Sequence, residues 1–195
     1  MKNSILNIIF TLWFVKAFAQ QPSPLNEKLH LDSLEKALQT NRPDSVKANT
    51  IFSLVEYWKY KDIVKSKMYL LHGKEPGKKY PYLNSLSLFY DGQYYFNLNA
   101  VKAATAFKKA EQSLSIFHNP KAYYLLVNAW LNYALMNKDT KGYKFVARII
   151  PEKALPMAEK GGNKVSLAYF YTRLSTLLMN NYQFAKAALY NQKLS

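Results

Sequence analysis

The stretch AATAFKKA, residues 103 to 110, sets Ala103, Phe107 and Ala110 at i, i+4 and i+7, so two small residues and one large apolar residue share a helical face. A neighbouring helix can approach closely over the alanines and be held by Phe107. The stretch YQFAKAAL, residues 182 to 189, echoes it with Tyr182, Ala185 and Leu189. Each stretch follows an Asn-rich turn, and before each turn runs a segment dense in Tyr and Leu. Such recurrence predicts stacked helical hairpins that bury their apolar faces against one another.

Working outward, the pattern predicts an all-α chain. A first helix from Leu25 presents Leu31, Leu34 and Leu38 and stops at Asn41-Arg42-Pro43. The next begins near Asp44 or Ser45, either of which could accept a bond from the first backbone amides. Ile51, Val55 and Trp58 recur at helical spacing before the turn at Lys61-Asp62. Ile63 to His72 returns, and Gly73-Lys74-Glu75-Pro76-Gly77-Lys78-Lys79 reads as a stop, because Pro-Gly suits a type II turn. Leu83 to Phe96 pairs with Ala100 to Phe117, and Lys121 to Met136 with Lys141 to Lys160. Pro151 and Pro156 must kink or split that last helix. After the stop at Gly161-Gly162-Asn163, Val165 to Met179 pairs with Tyr182 to Leu194. Taken as equivalent, Ser66, Ala103, Ala147 and Ala185 are separated by 37, 44 and 38 residues.

Lys2, the apolar run Ile5 to Val15 and Ala17-Phe18-Ala19 read as an export signal cleaved near Ala19, leaving 20–43 as a lead-in and capping helix and 44–195 as the repeat domain. The run is about half the ~20 residues needed to span a bilayer, and no later segment is long and apolar enough. The chain of 195 residues has no cysteine, which excludes disulfides, thiolate metal sites and a lipoprotein anchor. Its net charge is +15, or +13 without Lys2 and Lys16. A basic chain attracts nucleic acid, anionic surfaces or acidic partners. Of 27 basic residues only Arg42, Arg148 and Arg173 are arginine, so the side chain that forks onto guanine and phosphate is scarce and specific nucleic-acid binding is not expected.

Tyr94-Tyr95-x7-Ala103-x3-Phe107-x2-Ala110, and less fully Asn181-Tyr182-x2-Ala185-x3-Leu189, resemble tetratricopeptide repeats, across most of residues 44 to 195. The resemblance implies a right-handed alpha-alpha superhelix of about four hairpins, near 44–80, 83–119, 121–160 and 165–195. Ser66, Tyr94, Ala103, Phe107, Ala110, Tyr182, Ala185 and Leu189 would form its packing seam. It also implies a concave face on the first helix of each pair that binds a protein or peptide, lined here by Val55, Trp58, Leu88, Tyr95, Phe96, Phe170, Leu174 and Leu177 and rimmed by Lys59. With the signal, the chain is similar to the extracytoplasmic repeat regions of bacterial sensor proteins. That implies a periplasmic or extracellular place, and a kinase or helix-turn-helix output domain beyond Ser195.

Chemistry is sparse. Gly73-x3-Gly77-Lys78-Lys79 has one residue too few for a phosphate loop, Lys79 in place of Ser or Thr, and a helix before it where a strand belongs. His30, His72 and His118 are isolated, without paired ligand spacing. No catalytic residue, metal ligand or cofactor is expected. The alternatives are a basic protein binding nucleic acid or an anionic surface and, last, an envelope hydrolase needing carboxylates gathered from several repeats.

Overall fold

A computed structural model describes residues 26–41, 43–162 and 164–193. The export signal, the lead-in from Gln20 to Leu25, Arg42, Asn163 and the last two residues lie outside the described residues. Two compact units are distinguished, Met1–Ser33 and Leu34–Ser195. Helix α1 (Glu27–Gln39) opens where Asn26 Oδ1 accepts the Leu29 amide at 3.1 Å, and it buries none of its side chains.

From Asp44 onward the described chain is helical throughout, with no strand. Helix α2 (Asp44–Trp58) starts on Pro43, whose carbonyl accepts the amides of Val46 and Lys47. Neither Asp44 nor Ser45 caps it, because the helix begins on the proline itself. Asp62 turns the chain and caps α3 (Ile63–Lys79), accepting the Val64 and Lys65 amides at 3.0 Å each. Helix α4 (Pro81–Tyr95) begins on a proline, which has no amide to leave unsatisfied at a first helical position. Asn99 caps α5 (Ala100–Leu114) and Asn119 caps α6 (Pro120–Met136).

The expected stop at Gly73–Lys79 is overturned: α3 runs straight through it, with Pro76 inside. Ser66, Leu70, Gly73 and Gly77 are buried along one face. A Cβ on Gly73 would lie 2.8 Å from the Phe52 ring, and one on Gly77 3.4 Å from the Asn84 backbone. Both glycines continue the buried small-residue face that Ser66 begins and neither makes a turn, but only at Gly73 would a Cβ meet its neighbour too closely. Pro76 sacrifices one amide near the helix end, yet its carbonyl still accepts from Tyr80.

After α6 the chain turns at Asn137 and kinks again at Gly142, so the expected break at 137–140 is a short helical piece between two bends. Helix α7 (Lys138–Ile149) contains Gly142 at φ +75°, a position open to glycine and strained for other residues. Pro151 falls in a wider π-helical turn, Ile150–Ala154, and Pro156 in the first turn of α8 (Leu155–Gly161), which follows it directly. Gly162, left-handed at φ +65°, ends it. Helices α9 (Lys164–Asn180) and α10 (Phe184–Gln192) complete the described chain.

Consecutive helices pack in pairs, α2 with α3, α4 with α5, α6 with the α7–α8 arm and α9 with α10, and each pair leans on the next. Two cores result. Ala48, Phe52, Val55, Leu86, Phe107 and Leu125 belong to the first, and Leu131, Val146, Ile150, Leu174 and Ala187 to the second. Helix α6 supplies both, because its run from Tyr123 to Met136 is apolar on more than one face and so can be covered on two sides.

Ala103, Phe107 and Ala110 are fully buried, as the opening stretch requires. Its echo is not a packing seam. Tyr182 is 82% exposed, Leu189 61% exposed and Ala185 exposed, whereas Ala187 is buried and Tyr190 lies against Tyr171. Helix α10 is rotated so that its 187/190 face meets α9, and among the described residues nothing covers the 185/189 face.

Candidate functional site

The end of α2 carries Glu56, Lys59 and Tyr60 one turn apart. Lys59 is turned inward, ion-paired to Glu56, and donates to Gln93 Oε1 of α4 at 3.3 Å. One turn earlier on α4, Tyr90 stacks on Phe52 at 5.2 Å and is acted on by Glu56 and by Tyr124 of α6. From α9, Arg173 is only 7% exposed and bonds Tyr169, its Cζ 5.4 Å from that ring's centre. Tyr60 and Tyr124 also act on Arg173. Electrostatic coupling thus links Glu56, Tyr60, Tyr124 and Arg173 in one polar, aromatic cluster supplied by α2 and the bend after it, α4, α6 and α9.

The electrostatics follow from burial. Desolvation pushes the Tyr60 phenol up to about 12, with Glu56 adding to the rise and Arg173 opposing it. Tyr90 is raised for the same first reason, then by Glu56. Burial lowers Arg173 from its usual value, while Tyr169, Tyr124 and Tyr60 favour its charge. At neutral pH Tyr60 and Tyr90 are thus neutral phenols that donate and accept hydrogen bonds, beside a guanidinium that only donates. Its single carboxylate, Glu56, is held by Lys59, so it presents no carboxylate pair for acid–base work.

The expected groove residues separate into three groups. Val55, Phe170 and Leu174 are core residues, closed to any ligand because the apolar stripe of each first helix faces its neighbours. Trp58, Leu88, Tyr95, Phe96 and Leu177 are half-buried. Trp58 lies under the Lys65 ammonium at 4.2 Å, its indole N–H without a partner, and Tyr95 lies under Lys102 at 5.3 Å. Phe96 packs on Phe107, and Leu177 lines a narrow apolar crevice with Tyr143 and Leu178. Lys59 alone joins the cluster.

The chain matches no known family, and it matches no curated protein or solved structure.

Sequence reading missed Glu56, Tyr60, Tyr90, Gln93, Tyr124, Tyr169 and Arg173. One signal was available: a lone arginine in the otherwise uncharged run Val165 to Asn180, with Tyr169 four residues before it on the same helical face. Among the described residues no three His, Asp or Glu side chains gather to hold a metal, and no helix is long and apolar enough to cross a membrane.

Proposed function

We propose that the chain is an exported tetratricopeptide-type scaffold that binds a protein or peptide through the face formed by α2, α4, α6 and α9. The convergence of Glu56, Lys59, Tyr60, Tyr124, Tyr169 and Arg173 from helices more than a hundred residues apart carries this reading. Tyr60 and Tyr169 are 46% and 44% exposed, so a ligand can reach them, and they lead to the inward Arg173. Such a surface suits a partner segment rich in carboxylates and carbonyls, with phenol rings giving area at small entropic cost. The likeness to sensor repeat regions extends the reading to the sensing part of a larger signalling protein.

The test is capture of partners from an envelope extract by the wild type and by Tyr60→Ala/Tyr169→Ala, both checked for unchanged helicity. Loss of specific partners is expected in the variant. Equal recovery by both proteins would sink the proposal.

A further inference from the structure

Because consecutive helices pack against one another through short connections, the bends within the pairs, at 59–62, 96–99, 137 and 181–183, fall on one edge of the Leu34–Ser195 unit. At three of these bends, 59–62, 96–99 and 181–183, apolar side chains stand in solvent. Val64 is 74% exposed, Val101 75% and Tyr182 82%, joined by Leu98 and Phe184. Among the described residues, the opposite edge, which holds the turns around 80, 115–119 and 162, exposes fewer large apolar side chains: Ile116 in the 115–119 turn, and Val46, at 37%, in the first turn of α2.

Lysines are interleaved with these side chains. The ammonium groups of Lys61, Lys102 and Lys141 lie 4.6, 5.3 and 5.5 Å from the ring centres of Tyr57, Tyr95 and Tyr133, one pair at each of three successive bends. The three tyrosines recur every 38 residues. The acids at the bends are already engaged: Asp62 accepts two helix amides, and Asp139 lies 3.6 Å from Lys138.

We propose that this edge docks on an anionic lipid surface. Apolar side chains that project singly or in twos from three bends, Val64, then Leu98 and Val101, then Tyr182 and Phe184, can sink into a headgroup layer without needing a shaped pocket for each. The lysines between them meet the diffuse negative charge of such a layer. Charge complementarity thus favours a bilayer over a folded acidic protein, which would have to match every projection.

The chain lacks cysteine, so a single introduced thiol can carry an environment-sensitive dye. In the full chain, dye at Leu98→Cys should shift to the blue with vesicles of about 30% phosphatidylglycerol in phosphatidylcholine, and dye at Lys78→Cys on the opposite edge should not. Changing Lys61, Lys102 and Lys141 together to Gln should weaken partitioning about a hundredfold, near fivefold for each lysine. Lys78→Gln/Lys79→Gln should leave it near wild type. The proposal is overturned by an equal shift at both dye positions, by an equal shift with neutral vesicles or soluble polyglutamate, or by a triple variant that binds as before.

Discussion

Adding one methyl group at Gly92 tests how closely the seam is packed. A Cβ there would lie 2.6, 2.7 and 2.9 Å from three atoms of the Phe107 ring, far inside the ~3.5–4.0 Å at which carbons rest. Phe107 cannot retreat, being fully buried with Phe89 and Phe96 at its sides, 5.8 and 6.4 Å between centres. Gly→Ala inside a helix ordinarily gains about 0.8–1 kcal/mol, whereas overpacking costs about 1–3 kcal/mol and here belongs in the upper part of that range. The expected balance is a loss of about 1–2 kcal/mol, or a Tm lowered by about 2–8 °C for a unit of this size. Gly77→Ala, whose nearest neighbours stand at 3.4 Å, should instead hold or raise stability. Urea and thermal melts of both variants, and of Gly92→Ala in a Phe107→Leu background, measure this. The Phe107→Leu background should shrink the Gly92 penalty, since the clashing ring is gone. A Gly92→Ala variant as stable as wild type, or equally costly in both backgrounds, refutes the close contact.

Phe107→Ala should cost about 3–5 kcal/mol, while Leu189→Ala, at the aligned position of the echo, should stay within about 0.5 kcal/mol; paired melts decide. Tyr182 sits at φ +59° and is exposed, so Tyr182→Gly should stabilise the α9–α10 corner by about 0.5–1 kcal/mol, seen as a higher urea midpoint. The Tyr60 phenol is raised to about 12 in the folded chain against 10.0 when unperturbed. The unfolded state therefore loses this proton first, and stability falls as pH rises from about 10 towards 12. Tyr60→Phe should blunt that fall in melts taken between pH 9 and 12 and leave stability at pH 7 nearly unchanged.

Helix pairs were legible because their periodicity and caps are local: Asp62, Asn99 and Asn119 each mark a helix start in sequence and cap it in the structure. What misled was glycine. Gly73 and Gly77 look like punctuation beside Pro76, yet their spacing from Ser66 continues the small-residue face that Ala103 and Ala110 make in the next pair. In sequence, a glycine needed for close approach and one needed for a turn look alike, and only the facing ring of Phe52 separates them. The echo at 182–189 failed for a related reason. A spacing fixes which residues share a face but not which face is covered, and the rotation of α10 was decided by Ala187 and Tyr190 meeting α9. The inner cluster was least visible, because it joins Glu56 to Arg173 through four helices and no local pattern encodes that meeting.

Lys59 and Lys61 show how one basic chain can support two different surfaces. They are two residues apart, but α2 ends at Trp58, so the bend sends them to opposite environments. The Lys59 side chain is 5% exposed and its charge is taken up by Glu56, whereas Lys61 is exposed over the Tyr57 ring. Net charge alone therefore says little about the inner face, where cations are held among phenols and one carboxylate, and much about the bend edge, where lysines stand beside bare apolar side chains. A salt titration separates the two. Screening weakens exposed charges over about 10 Å at 0.1 M but reaches buried pairs far less, so lipid docking should fade with salt while a partner held through Arg173 persists.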